Sequence, residues 1–192
     1  DASANNITDL NALLAATTGT VTASIDGNQA QLVSITANSS SVATNALTIV
    51  VDDVVTAAQG ATIAATTNAS TVDFSANGVT DTLANLTDTN AVSANMQAID
   101  DKDPDVNVTV SDTIEDASTQ NVLDLNTLLA ATTGTVTASI DGNAAQLAQL
   151  TANSSSTATN ALTIVVDDVV TAAQGAAIAA ATNVSTVDFS AN

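Results

Sequence analysis

Carboxylates are the side chains in this chain that could do chemistry. Its 192 residues include 20 acidic residues and one basic residue, Lys102, with no histidine and no cysteine. Without a histidine base, a cysteine nucleophile or an arginine clamp, only paired carboxylates remain, as in glycoside hydrolysis. Such enzymes normally also present aromatic platforms to the sugar, and the aromatic residues here are limited to Phe74 and Phe189. We therefore expect no enzymatic activity.

A run of alternating aspartates has the spacing of a calcium-binding loop. Asp101, Asp103 and Asp105 place an oxygen donor at every second position, as the first ligands of a twelve-residue calcium loop do. The glycine at position six and the glutamate at position twelve of such a loop are missing. The segment is thus either a degenerate Ca²⁺ site or a solvated acidic turn around Pro104.

Further aspartates follow the predicted strands. They are Asp26, Asp52, Asp53, Asp112, Asp141, Asp167 and Asp168. In stacked strands these carboxylates would line up into a ladder that bridging Ca²⁺ could neutralise. The interpretation that we favour is helix N-capping, in which a carboxylate accepts the free N–H groups of a first helical turn.

The charge of the chain restricts its partners. A formal net charge of −19 disfavours nucleic acid and anionic membranes, because nothing basic can replace the counterions of phosphate groups. No run approaches the roughly 18–20 apolar residues of a membrane span, and we expect no membrane insertion. The 45% apolar content argues against disorder despite the charge.

The chain contains a long internal repeat. Residues 1–77 match residues 116–192 without a gap, with 13 differences and therefore 77 − 13 = 64 identities. The sixteen residues "LLAATTGTVTASIDGN" occur unchanged at 13–28 and 128–143. We expect residues 1–115 to form one full period of four strand-and-helix units, and residues 116–192 to form part of a second.

Strand-like and helix-like segments alternate inside this repeat. The strand-like segments are 20–26, 46–52, 70–76, 106–112, 135–141, 161–167 and 185–191, and helix-like segments lie at 7–17, 28–38, 54–68 and 78–99. Strands joined through helices must run parallel. Alternation of strands and helices at about 20–40 residues per unit is typical of a solenoid. The fold prediction is an α/β class, repetitive β/α solenoid with a single parallel sheet.

The strand sequences predict one covered face and one open face. Val21, Ala23 and Ile25 would pack on the helices, whereas the intervening threonines and serine would meet solvent. The open, polar face would carry Thr20, Thr22, Thr48, Thr71 and Thr109. Such a face also invites an ice-binding interpretation, although "TVT" recurs only at 20–22 and 135–137. Solvated strand threonines are the simpler alternative.

The phrases "ALTIVVDDVVTAAQGAAIAAATNVSTVDFSAN" at 161–192 and "GVTDTLANL" at 78–86 resemble the tandem repeats of very large secreted surface proteins of aquatic bacteria. These proteins are described as adhesins or surface-layer-like proteins. The resemblance implies an extracellular array without catalytic activity, and it supplies no binding residues. The calcium-binding nonapeptide of their tails is missing from this chain.

Together these observations predict a structural spacer or stalk segment of a repetitive cell-surface protein. Calcium would stabilise it, and neighbouring copies of the repeat would associate head to tail. The alternative is an adhesive module whose open Thr/Ser/Asp face, including Thr22 and Asp73, binds a glycan or mineral surface.

Overall fold

The computed structural model describes residues 3–36, 45–66, 71–151, 160–181 and 186–190. Within these residues the protein is of mixed α/β class, with eight helices. The helices are α1 (Ala4–Ala16), α2 (Gln29–Leu32), α3 (Ala57–Thr66), α4 (Leu83–Leu86), α5 (Ala94–Asp100), α6 (Thr119–Ala131), α7 (Ala144–Leu147) and α8 (Ala172–Ala181). The strands are β1 (Thr22–Gly27), β2 (Ala46–Val51), β3 (Thr71–Asp73), β4 (Val79–Asp81), β5 (Thr87–Asp88), β6 (Ala91–Val92), β7 (Val108–Ile114), β8 (Val136–Gly142), β9 (Ala161–Val166) and β10 (Thr186–Asp188).

The strands form two parallel sheets and one antiparallel pair within the described residues. The first sheet has the order β1-β2-β3, the second has the order β10-β9-β8-β7-β4, and β5 pairs with β6. All pairings in the two larger sheets are parallel. Within each of these sheets, most strands therefore lie beside the strand that precedes them or follows them in the chain. We call one such strand, with the segment that leads to the next, a unit.

The sequence predicted one sheet, and the structure divides the strands between two. β3 ends at Asp73, whose Oδ1 accepts hydrogen bonds from the backbone N–H and the Oγ of Ser75. The chain then turns, with Gly78 at φ +70 donating its N–H to Phe74 O at 2.7 Å. It re-enters as β4, which a single parallel bridge from Val79 joins to Val55. The turn interrupts the ladder between the two sheets.

The segment 78–99, predicted as helical, contains β4, the one-turn helix α4, the β5–β6 hairpin and α5. The β-branched residues Thr87 and Val92 lie opposite each other in the hairpin, and Asn90 takes the left-handed conformation, φ +57, at its turn. Asparagine tolerates this conformation better than most residues. Local turn chemistry thus overrides the helical spacing of Leu83 and Leu86. Of the predicted helix 28–38, residues 29–32 form the single turn of α2 and residues 33–36 are not helical, whereas 37 and 38 lie outside the described residues.

The alternation of the strands gives one buried and one open face. Leu47, Ile49 and Val51 in β2 are buried, whereas Ala46 and Thr48 are exposed. β8 and β9 follow the same pattern. The buried face packs against leucine and isoleucine side chains from the helices, among them Leu14, Leu32, Ile63, Leu125 and Ile178.

No helix among the described residues has both the length and the apolar character needed to cross a membrane.

Candidate functional site at the corners between strands and helices

The carboxylates that follow the strands bind the helix starts of neighbouring units. Asp53 comes two residues after β2, and its Oδ1 accepts a hydrogen bond from Gln29 N, the first residue of α2, at 2.9 Å. Parallel stacking brings the two groups together, because the same end of every strand lies at the same edge of the sheet. At the equivalent place 115 residues later, Asp168 Oδ1 accepts from Ala144 N at 2.8 Å.

Two further aspartates make the same kind of bond. Asp81 Oδ2 accepts from Ala57 N, at the start of α3, at 3.1 Å. Asp112 Oδ1 accepts from Leu83 N, at the start of α4, at 2.9 Å. In each case the carboxylate belongs to the unit that follows the helix, so the bond joins two units. A carboxylate at a helix N-terminus also complements the positive end of the helix dipole.

Each helix that receives such a bond from Asp53 or Asp168 also carries its own N-cap. The Asn28 side chain accepts from Gln31 N at 3.1 Å, and the Gln31 side chain accepts from Asn28 N at 3.0 Å. Asn143 accepts from Gln146 N at 3.1 Å. The asparagine satisfies the third helical N–H, and the aspartate of the next unit satisfies the first. Even in a one-turn helix, the first and third free N–H groups are therefore bonded.

Two more of the predicted corner aspartates, Asp141 and Asp26, are the penultimate residues of their strands. Asp141 accepts from the backbone N–H of Asp116, which precedes α6 and takes φ +48. Asp26 occupies the equivalent place in β1, half-buried and in register with Val50. These two residues lie one position before the final glycine of the strand.

A group of aspartates lies where α7 begins. A cavity of about 310 Å³ there is lined by Asp116, Gly142, Asn143, Gln146 and Asp167. Partial desolvation and the charges of Asp141, Asp116 and Asp168 raise the pKa of Asp167. The carboxylates at this corner therefore repel one another. A dissolved cation would relieve that repulsion.

Asp101, Asp103 and Asp105, which follow α5, have three different environments. Asp101 is the exposed C-cap residue of α5, and its Oδ1 accepts from Gln97 Nε2 at 2.9 Å. Asp103 is buried, and its Oδ2 accepts from Phe74 N at 2.6 Å. Asp105 is exposed.

Burial raises the pKa of Asp103 to about 6. A hydrogen bond with Asp105 and the charges of Asp105 and Asp73 act in the same direction, whereas the N–H of Phe74 opposes them. Asp103 thus joins two units through one backbone N–H. Among the described residues no group of three or more carboxylates is arranged to hold a metal ion, and calcium binding stays a prediction.

The open face carries rows of hydroxyl groups in register. Ser24 lies opposite Thr48, and Thr48 lies opposite Thr71. The second copy repeats the row with Ser139, Thr163 and Thr186. The next row along the strands is interrupted, because Thr22 and Thr137 lie opposite Ala46 and Ala161. Thr20, Thr22, Thr48 and Thr71 are exposed, and Thr109 is half-buried.

The sequence did not reveal that each of these aspartates binds the helix of the preceding unit, and it did not single out Asp81. A signal was present, because the aspartate lies 24 residues after its helix start in the pairs Gln29–Asp53 and Ala57–Asp81. That distance is one unit. A residue that caps the helix following it in the chain would instead lie immediately before that helix.

Comparison with protein-family models, with curated proteins and with solved structures gave no match to this chain.

Proposed function

We propose that the chain is a non-catalytic structural spacer of a repetitive extracellular surface protein, in which the units stack as a β/α solenoid. One observation carries the proposal. The register Ser24–Thr48–Thr71 recurs 115 residues later as Ser139–Thr163–Thr186. Equal sequence is therefore accompanied by equal stacking of one strand on the next, and added periods should extend the same stack.

The bonds between units support a mechanical role. Within each of the two sheets, parallel ladders join neighbouring strands, and at most corners a carboxylate bonds the helix start of the preceding unit. In such an array stability is approximately a sum of local interfaces. The number of copies can then change the reach of the protein without changing its fold.

The proposal is tested by the length of arrays that contain one, two or three added 115-residue periods. The four strand-and-helix units predicted for each period, spaced by about 4.8 Å, should lengthen the rod by about 19 Å per period. Small-angle scattering gives the maximum dimension, and the cross-section should stay constant. An array that gains cross-section instead of length with each period would refute the solenoid.

The second candidate is adhesion through the open face, and the in-register hydroxyl rows favour it. These rows, bordered by Asp73 and Asp188, would suit a mineral surface that contains calcium. Adsorption of the chain to calcium carbonate crystals is the direct test, with Thr48→Lys and Thr163→Lys as variants. Thr8→Lys, at an exposed place on α1, is the matched control. If adsorption falls with the face variants alone and folding is kept, the spacer role is incomplete.

A further inference from the structure

Two helices of nearly the same sequence have different surroundings. Leu13 of α1 is 54% exposed, whereas Leu128, its equivalent in α6, is fully buried. Leu10 is partly buried, and its equivalent Leu125 is fully buried. The exposed leucine in α1 is therefore not a property of the helix sequence, because the same residue is covered in the other copy.

The cover over α6 comes from the segment 78–115, which occurs once in this chain. The β5–β6 hairpin of that segment packs against α6. At the hairpin turn Asn90 donates its N–H to Asp124 Oδ1 at 3.2 Å. Gln120 Nε2 donates to Asn90 Oδ1 at 3.4 Å and to Asp124 Oδ1 at 2.8 Å. The equivalent of Asp124 in α1 is Asp9, which is exposed.

The loop after α6 is held by the same segment. Thr133 donates its N–H to Pro104 O at 2.8 Å, and Thr135 donates its N–H to Asn107 Oδ1 at 2.9 Å. Thr132 Oγ1 donates to Val106 O at 2.6 Å. The four residues 132–135, "TTGT", lie within the sixteen-residue stretch that is unchanged between the copies.

Gly134 shows how closely the two segments approach. A Cβ added there would overlap the carbonyl oxygens of Asp105 and Val106 and lie 2.6 Å from the carbonyl carbon of Val106. Gly19, its equivalent, is exposed, and an added Cβ would meet Thr17 Oγ1 at an ordinary 3.4 Å. The first copy keeps a glycine whose close contact is seen only in the second copy.

We propose that the exposed face of α1 and the following loop, defined by Asp9, Leu13 and residues 18–20, is a docking surface for another copy of the segment 78–115. The structure supplies the reason for this occupant, because the equivalent surface of the same chain is covered by that segment. The fit includes an apolar contact at Leu13, an acceptor at Asp9 and a close backbone approach at Gly19.

The segment 78–115 also contacts the unit before it, and so works as an adaptor. Asp103 accepts from Phe74 N, and Asn107 Nδ2 donates to Ser75 O at 3.1 Å. One face of the adaptor thus binds the end of β3, and the other binds α6 and β8. Contact between two repeats therefore requires an adaptor between them. Head-to-tail association of repeats would then take place through the segment 78–115. This inference rests on the proposed solenoid.

The test places residues 1–115 ahead of the full 192-residue chain and measures burial of the docking surface. Because the chain contains no cysteine, Leu13→Cys in the 192-residue chain provides a single thiol. That thiol should react rapidly with a maleimide. In the extended chain, a thiol at Leu13 of the copy that follows the added residues 1–115 should react at least about tenfold more slowly. Val169→Cys, 83% exposed, should react equally in both chains.

Equal Leu13→Cys reactivity in the two folded chains would overturn the inference. Gly19→Val gives an independent readout, because it should not lower the unfolding midpoint of the 192-residue chain. In the extended chain, the same substitution in the copy that follows the added residues 1–115 should lower the midpoint. An unchanged midpoint in both chains would also count against docking. If arrays lengthen by the expected amount while the thiol stays reactive, the spacer function stands and the docking surface fails.

Discussion

The sharpest prediction concerns the same substitution at two glycines that share their sequence neighbours. Gly19 and Gly134 lie at the same place in the sixteen identical residues, and neither has a positive φ. Alanine is therefore compatible with the backbone at both places. Any difference in stability between Gly19→Ala and Gly134→Ala must come from what lies against the residue in the folded protein.

The magnitude at Gly134 follows from the carbonyl groups that an added Cβ would meet. Those carbonyls belong to Asp105 and Val106, just before β7, and they are backbone atoms that cannot rotate away. The loop and β7 must separate, which also weakens the bond from Thr132 Oγ1 to Val106 O. Overpacking of this kind costs about 1–3 kcal/mol, and loss of a hydrogen bond adds about 1 kcal/mol. We expect Gly134→Ala to destabilise the protein by about 2–4 kcal/mol.

At Gly19 the outcome should have the opposite sign. The added methyl group makes an ordinary contact with Thr17 Oγ1, and alanine lowers the entropy of the unfolded chain. Gly19→Ala should therefore stabilise the protein by about 0.4–1 kcal/mol. Urea unfolding followed by circular dichroism measures both variants beside the parent chain. Equal effects in the two variants would refute the close approach of β7 to Gly134, whichever sign they share.

Three further predictions concern the carboxylates. Asp53→Ala should lower the free energy of unfolding by about 1 kcal/mol and speed hydrogen exchange of the Gln29 amide about fivefold. Asp52→Ala, which removes the same charge from an exposed neighbouring residue, should leave that amide protected. NMR hydrogen exchange measures both variants, and equal protection of the amide in the two would contradict the bond between units. Because the pKa of Asp103 is raised to about 6 in the folded state, above its ordinary value, the folded protein holds the proton more tightly and stability is lost as pH rises from about 4 to about 6. The unfolding midpoint of Asp103→Asn should therefore rise relative to that of the parent across this pH range and stay higher above it. A difference in midpoint that does not depend on pH would refute the raised pKa of Asp103. Millimolar Ca²⁺ should raise the unfolding midpoint more than Na⁺ at equal ionic strength, and Asp167→Asn should reduce this response, since it relieves the repulsion at the α7 corner. The absence of a calcium-specific rise would refute the prediction that calcium stabilises the spacer.

Much of the strand framework could be predicted from alternation alone. Residues such as Leu47, Ile49 and Val51 recur at every second position, and only one face of a strand can then be buried. The predicted strands in both copies coincide with β1, β2, β3, β7, β8, β9 and β10 within the described residues. The parts of segments 70–76 and 185–191 at Ser70, Ser185 and Ala191 lie outside those residues.

The adaptor segment was harder to predict because its local signals conflict. Leu83 and Leu86 have helical spacing, yet the chain needs Asn90 at positive φ to close a hairpin between them and α5. β7 also contains two extra residues relative to β8, since its pairing passes from Thr109–Thr137 to Thr113–Ser139. No single-sequence period reveals such a bulge.

The direction of the carboxylate bonds depends on stacking and not on local sequence. Asp53 lies near the start of α3 in the chain, so a local rule assigns it to that helix. Its partner, Gln29, becomes visible only when β2 is placed beside β1 in parallel register. Carboxylates at strand ends in repeat proteins should therefore be tested first against the helix one unit earlier.

The unchanged sixteen residues can be explained by recent duplication alone or by contacts that restrict which residues fit there. Recent duplication alone would leave the 13 differences between the copies scattered without regard to contacts. Four of them instead lie at positions 4–8 and three at 33–35, whereas 43–61 and the stretch 13–28 have none. In the second copy this stretch includes the loop that the adaptor binds through Thr132, Thr133 and Thr135. A surface that must receive an adaptor in every period restricts its residues in every copy, including the copy in which that surface is exposed here.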